Sequence, residues 1–225
     1  MKKGEPIQTV GLIGHPEQVA KTGIVRRIAK LIVDSGRKVF FDQAIADESS
    51  HDGIIFPDTS ELARVSDLLV VIGGDGTVLR AARETAGSNT PLLGVNAGRL
   101  GFLTSASIDD IDQSFAKLWD NKYAIDPLPL IQATGKFSGK KLKVLALNDI
   151  LISRGANPRL IEMEVAVDGE LLTNYRCDGL IIATPAGHRM LNSGSTVVFA
   201  CGVRTPTNPS PAYSSVAMIV RAFRQ

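Results

Sequence analysis

Cysteine is scarce in this chain: Cys177 and Cys201 are the two present in 225 residues. Two thiols are too few for a disulfide framework, and neither has metal-ligand spacing to His15, His51 or His188. Free, buried thiols in a reducing cytoplasm are the expectation. Long apolar runs are missing too. Uncharged stretches such as Met190 to Val203 fall short of the roughly 20 apolar residues that a membrane span needs, so no membrane partner is expected. The opening "MKKGEPIQTVGLIGHPEQ" brings acid and proline before any extended apolar segment, unlike a signal peptide. Nor is there an excess of charge: 25 Lys and Arg against 23 Asp and Glu leave a net charge of +2. A global field that would draw nucleic acid or an anionic surface is excluded, and any anion site must be local. Neither G-x-x-x-x-G-K-[ST] nor a helix-opening G-x-G-x-x-G occurs, so the P-loop and the standard dinucleotide fingerprint are unavailable.

What remains is ample for a folded core, with 44% hydrophobic and 21% charged residues. The first half alternates short β-branched runs with helical patterns. "VGLIG" (10–14), "KVFF" (38–41), Ser66 to Ile72 and "PLLGV" (91–95) read as strands. Ile24, Ile28, Leu31 and Ile32 form one helical stripe that Gly36 stops, and further helices are expected from Val78 to about Ala86 and from Asp109 to about Asn121. "LLVVI" is apolar on both faces, as a buried parallel strand is. The predicted fold is an α/β N-terminal domain with an open parallel sheet. After Tyr123 the runs "KLKVLALNDILISR", "LIEMEVAVDGELLTNYR" and "GLIIATP" are strand-like, and Asp168-Gly169 has the composition of a hairpin turn. No helix is expected past 122. The division is therefore 1–122, α/β, and 123–225, an all-β, sandwich-like domain, incomplete at its C-terminus.

The densest chemical signal is "VVIGGDGTVLRAA" (70–82). A strand running through Gly73, Gly74 and Gly76 into a helix presents backbone N–H groups with no Cβ atoms in the way, a surface suited to an anion. Asp75 in their midst repels phosphate, so its task is different: to take a proton from a hydroxyl, to hold a metal ion, or to bond ribose hydroxyls. The plainer alternative is an acid that N-caps the helix.

"GGDGT", followed in order by "GVNAGRLGFLT" (94–104), "LNDILISRG" (147–155) and "NYRCDGLIIATPAG" (174–187), resembles the NAD kinase family over residues 10 to about 187. The resemblance implies phosphorylation of the 2′-hydroxyl of the adenosine ribose of NAD to give NADP. ATP or polyphosphate would be the donor and Mg²⁺ or another divalent metal the cofactor. It implies that Asp75 is the catalytic base or hydroxyl orienter, that Gly74, Gly76 and Thr77 line nucleotide phosphates, and that Arg80 lies at the same mouth, unless it is an ordinary exposed helix cation. Asn96 joins the NAD site, and Phe102 lies against adenine, unless it is a core side chain. Asn148 and Asp149 match the pair that grips ribose hydroxyls and amides, though such a pair alone reads as a turn. Arg159, Arg176 and Asp178 match positions often completed by a neighbouring subunit, which implies a homodimer or homotetramer; Thr184 and Ala186 complete the nucleotide-binding set. No metal ligand is directly identifiable. The pattern breaks after "IIATP": "AGHRMLNSGSTVVFACGV" puts His188, Arg189 and Met190 where the family has small hydroxyl residues. An NAD(P)-binding protein without transferase activity and a diacylglycerol-type lipid kinase are the alternatives.

Overall fold

A computed structural model describes residues 6–20, 23–48, 53–96, 98, 101–137, 139–156, 159–184, 197–200 and 218–223. The chain divides into two compact units, Met1–Asp126 and Pro127–Gln225.

The first unit runs β1 (Thr9–Gly14), α1 (Pro16–Val19), α2 (Ile24–Asp34), β2 (Lys38–Asp42), a 3₁₀ turn (Gln43–Glu48), β3 (Ile54–Phe56), α3 (Thr59–Val65), β4 (Leu68–Ile72), α4 (Asp75–Glu84), β5 (Leu92–Asn96), β6 (Ala106–Ser107) and α5 (Ile111–Trp119). All six strands are parallel, in the order β3-β2-β1-β4-β5-β6. The two-sided apolar run of β4 has a direct cause. Leu68, Val70 and Ile72 pack with the buried faces of α2 and α5, through Ile28, Ile32, Ile111 and Phe115, while Leu69 and Val71 pack with Leu62 and Ala63 of α3 and Val78 and Ala81 of α4. Period two in the strand thus feeds helices on both sides. Each such fully buried side chain contributes about 1.5–3 kcal/mol.

Two carboxylates tie elements together. Asp67 Oδ2 accepts from Gln8 N (2.9 Å), Thr9 N (2.8 Å) and Thr9 Oγ1 (2.8 Å), so the start of β4 holds the start of β1. Burial raises the affinity of this carboxyl for its proton, but the three donors outweigh burial and hold its pKa below the ordinary value. Buried Asp42, at the end of β2, accepts from Thr59 Oγ1 of α3 (2.6 Å) and from Ala44 N (2.8 Å). Trp119 stacks edge-on against Phe115, with centroids 5.3 Å apart, and lies 3.9 Å beneath the Arg37 guanidinium.

Several elements differ from the sequence expectation. The helix after the glycine-rich turn starts at Asp75 rather than Val78, with Gly74 as its N-cap. The strand expected from Ser66 starts at Leu68, because α3 continues to Val65. β3 and α3 are additional. α3 is capped by Asp58, whose carboxylate accepts from Ser60 N (2.7 Å), and that bond holds the Asp58 pKa below its usual value.

The second unit holds β7 (Ile131–Phe137), β8 (Lys140–Ala146), β9 (Asp149–Ser153), β10 (Ile161–Val167), β11 (Glu170–Cys177), β12 (Gly179–Ala183), β13 (Val197–Ala200) and β14 (Met218–Phe223), with no helix among its described residues. They form a β11-β10-β14 sheet, a β13-β12-β9 sheet and the β7-β8 pair. Pairing is antiparallel except between β12 and β13. Met163 and Val165 of β10 pack with Leu180 and Ile182 of β12, joining the two larger sheets face to face as a sandwich. The hairpin turn falls at Asp168-Gly169, with φ of 52° and 90°, the double positive φ that such a turn requires. Cys177 is half-buried rather than buried, and Cys201 lies outside the described residues. Among the described residues no helix is long and apolar enough to cross a membrane.

Candidate active site

The strand order reverses direction between β1 and β4, and at such a switch point the loops leaving the carboxyl ends of the two strands diverge and open a crevice. β1 delivers Gly14, His15 and α1 to that end, and β4 delivers Gly73, Gly74 and α4. The two loops touch. Arg80, one turn into α4, donates from Nη2 to the Gly14 carbonyl (2.9 Å). Gln18 of α1 places Oε1 3.4 Å from Gly74 N and 3.5 Å from Thr77 Oγ1. Gly73 N donates to Val95 O of β5 (2.9 Å), which fixes the turn from the other side. A Cβ built on Gly74 or Gly76 meets nothing within 4 Å, so the mouth of α4 is open where the glycines lie.

Asp75 does not cap its own helix. As the first helical residue it turns its carboxylate across to the segment after β5, where Oδ2 accepts from Phe102 N and Oδ1 from Leu103 N, each at 3.0 Å. Arg80 is half-buried with its Nε buried and unpartnered, so the reading of an ordinary exposed helix cation is corrected: the tether to Gly14 draws it inward. Thr77 is buried behind Gly73. Asn96 ends β5 at 4% exposure, with Oδ1 taking Gly98 N (2.8 Å) and a buried Nδ2 that has no partner. Phe102 is 84% exposed, which overturns the alternative of a core side chain. Sequence reasoning treated His15 only as a non-ligand for metal, yet it follows β1 directly at the same sheet end, with Nδ1 buried and unpartnered. The signal was "GHP" immediately after a parallel strand.

In the second unit Asn148, Asp149 and Thr184 come together. Asp149 opens β9 opposite Ala183, and Thr184 N donates to Asn148 O (2.7 Å). The Thr184 hydroxyl is buried and donates to Leu147 O (2.5 Å), so it braces this corner. Asp178 is bonded to Arg154 through Oδ1 and Nε (2.5 Å), and its carbonyl takes Arg154 N (3.0 Å). Arg176 is exposed on β11 across from Glu162, and Arg159 is exposed ahead of β10. Ala186 and the segment with His188, Arg189 and Met190 lie outside the described residues. Among the described residues no group of three or more His, Cys, Asp or Glu is placed to hold a metal ion.

Residues 10–123 match the family model of the ATP-NAD kinase N-terminal domain, and 147–194 that of the ATP-NAD kinase C-terminal domain. The NAD kinase of Pseudomonas savastanoi pv. phaseolicola is 35% identical over 184 residues, 81% of this chain and 62% of that protein. The NAD kinase of Thiobacillus denitrificans is 35% identical over 199 residues, 86% of this chain and 68% of that protein. Among solved structures, yeast NADH kinase complexed with NADH superposes with a TM-score of 0.70 at 24% identity, covering 87% of this chain and 63% of that one, a likeness of fold. An NAD kinase from Archaeoglobus fulgidus in complex with ATP gives 0.56 at 26% identity, covering 80% and 62%. The chain spans about 62% of the length of the Pseudomonas relative.

Proposed function

This chain belongs to the NAD kinase family, and from that premise we propose that it transfers a phosphoryl group to the 2′-hydroxyl of the adenosine ribose of NAD, making NADP. One observation carries the reading: a single carboxylate, Asp75, stands at the open mouth of α4 at the sheet's switch point, held by backbone amides rather than by a cation. A carboxylate has about four lone-pair positions, and two amide bonds leave room to accept a hydroxyl proton. Asp75 orients that hydroxyl and takes its proton.

Phosphoryl transfer asks little covalent work of a protein; alignment of donor and acceptor is worth roughly 7–11 kcal/mol of barrier. Gly74, Gly76 and Thr77 offer the α4 terminus to phosphate, where N–H groups and the helix dipole favour negative charge. Arg80 adds a cation at the same mouth, and Asn96 an unspent amide donor. Phe102 offers a flat apolar face to adenine. Asn148, Asp149, Arg159, Arg176, Asp178, Thr184 and Ala186 match family positions that bind the nucleotide, with Thr184 bracing Asn148. ATP is the donor, as the Archaeoglobus complex supports, with polyphosphate as the substitute to test. A divalent ion, Mg²⁺ or another, would spread the negative charge of the donor phosphates when bound. The protein works as a homodimer or homotetramer in the cytoplasm.

NADP formation from NAD, ATP and Mg²⁺ by the purified chain, beside Asp75→Asn and with polyphosphate in place of ATP, tests this. Turnover that falls about 10²–10⁴-fold in the variant supports the reading. A folded parent that binds NAD by calorimetry but makes no NADP overturns it in favour of a binding protein.

A further inference from the structure

The segment that receives the Asp75 carboxylate is built with unusual economy of space. A Cβ on Gly101 would lie 2.1 Å from Asp75 Oδ1, 2.6 Å from its Cγ and 2.9 Å from Oδ2, so only glycine lets the acid and this backbone meet. The segment is braced from behind as well. Gly101 N donates to Thr104 Oγ1 (3.1 Å), Thr104 is buried, Ser105 N donates to Gly94 O (2.9 Å), and Gly94 faces Leu103 O and Thr104 Cα at 2.9 and 3.0 Å from where its own Cβ would be. Between these fixed points one large apolar side chain, Phe102, is turned out to 84% exposure. Folding alone gives no reason to hold an aromatic ring in water on a backbone so tightly fixed; a ligand with a flat face does.

We propose that Asp75, Gly101 and Thr104 form a clamp that fixes the Phe102 ring relative to the Asp75 carboxylate, making Gly101 a positioning residue that selects the acceptor. The acid and the backbone that carries the ring then move as one body, and the ring turns only about its own side-chain bonds. An acceptor fits when its hydroxyl and its flat face match that one spacing, as in a nucleoside whose base and sugar are directly joined. A hydroxyl on a flexible, non-aromatic molecule gains nothing from the ring. The clamp is read from this chain's geometry, and the NAD kinase reading supplies only the acceptor's name. The clamp also changes what loss of Asp75 means: the variant forfeits the proton acceptor and frees the ring together.

Amide hydrogen exchange on the full chain, parent against Asp75→Ala, reads the clamp with no substrate present. The Phe102 and Leu103 amides should exchange at least about ten-fold faster in the variant; equal rates overturn the clamp. Steady-state kinetics of Gly101→Ala and Thr104→Val read the selection. KM for NAD should rise on the order of ten-fold in Gly101→Ala and less in Thr104→Val, with KM for ATP unchanged. Equal rises for both substrates, or an unchanged KM for NAD, overturn the positioning role. Thr104→Val leaves Gly101 intact and carries the kinetic test where the alanine variant does not fold. If the parent makes no NADP, NAD affinity by calorimetry replaces KM; the exchange result still decides the clamp, and only the reading of the reaction falls.

Discussion

Replacing Asp67 by asparagine changes one oxygen to nitrogen and removes a charge at the seam between β1 and β4. In the parent, one carboxylate oxygen takes three hydrogen bonds of 2.8–2.9 Å, two of them from backbone amides. Hydrogen bonds to a charged group are worth about 1.5–3 kcal/mol and neutral ones about 0.5–1.5. The amide oxygen of asparagine keeps the geometry but not the charge, which loses roughly 1 kcal/mol per bond for independent bonds. These three share one half-exposed oxygen, so the expected loss at pH 7 is about 1–2 kcal/mol. The pH dependence gives the sharper test. The folded-state pKa of Asp67 is held below its unfolded value, so the contribution is present above the unfolded value, about 3.9, and is lost as pH falls through the folded one. Urea unfolding followed by the fluorescence of Trp119, the single tryptophan, reports on the unit that contains this seam. The gap between parent and Asp67→Asn should be full at pH 6–7 and should close as pH falls through the lowered folded-state value. A gap that stays constant, or widens, on acidification would refute the reasoning.

Thr59→Val removes a buried donor to a buried carboxylate and should cost about 1–3 kcal/mol in the same urea assay; a loss below about 0.5 would show that Asp42 is satisfied without it. Gly169→Ala puts a Cβ at φ of 90° in the β10–β11 turn and should lower the stability of the second unit by about 1–2 kcal/mol, read by thermal unfolding; no change would mean that the turn relaxes. Arg80→Met keeps the buried stem but cuts the tether to Gly14, and kcat/KM should fall about ten-fold, whereas an unchanged value would make the tether purely structural.

The strands that alternate across two packed faces were legible because their chemistry is local. "LLVVI" and the stripe of Ile24, Ile28, Leu31 and Ile32 carry their periods in plain view, and all are buried as expected except Leu31, which is half-buried at the edge of the core. β3 was missed because three residues at a sheet edge, two of them more than half exposed, have no period to read. α3 had a signal that went unused: Asp58 with Glu61 three residues on is a capping-box pattern. At the site, the identity of Asp75 was legible, but its partners were not. They are backbone amides 27 and 28 residues away, and main-chain donors leave no trace in side-chain identity. The Arg80 tether spans 66 residues to a carbonyl and is silent for the same reason. The bond from the Thr184 hydroxyl to the Leu147 carbonyl, 37 residues away, is another main-chain contact that side-chain identity does not announce.

The strand order also schedules how the molecule is made. β1 pairs with β2, which follows it closely, and on its other edge with β4, where Val10 meets Leu68. A nascent chain has β1 and β2 in hand well before β4 leaves the ribosome. At about 5–20 residues per second the open edge of β1 waits a few seconds for its second neighbour. The crevice cannot exist before Ile72 is available, and Asp75 gains its amide partners only after Leu103 has followed. The contacts that complete the site therefore close late in the first unit, with only β6 and α5 to follow, and the interval before them is when an unpaired hydrophobic strand most needs a chaperone's cover.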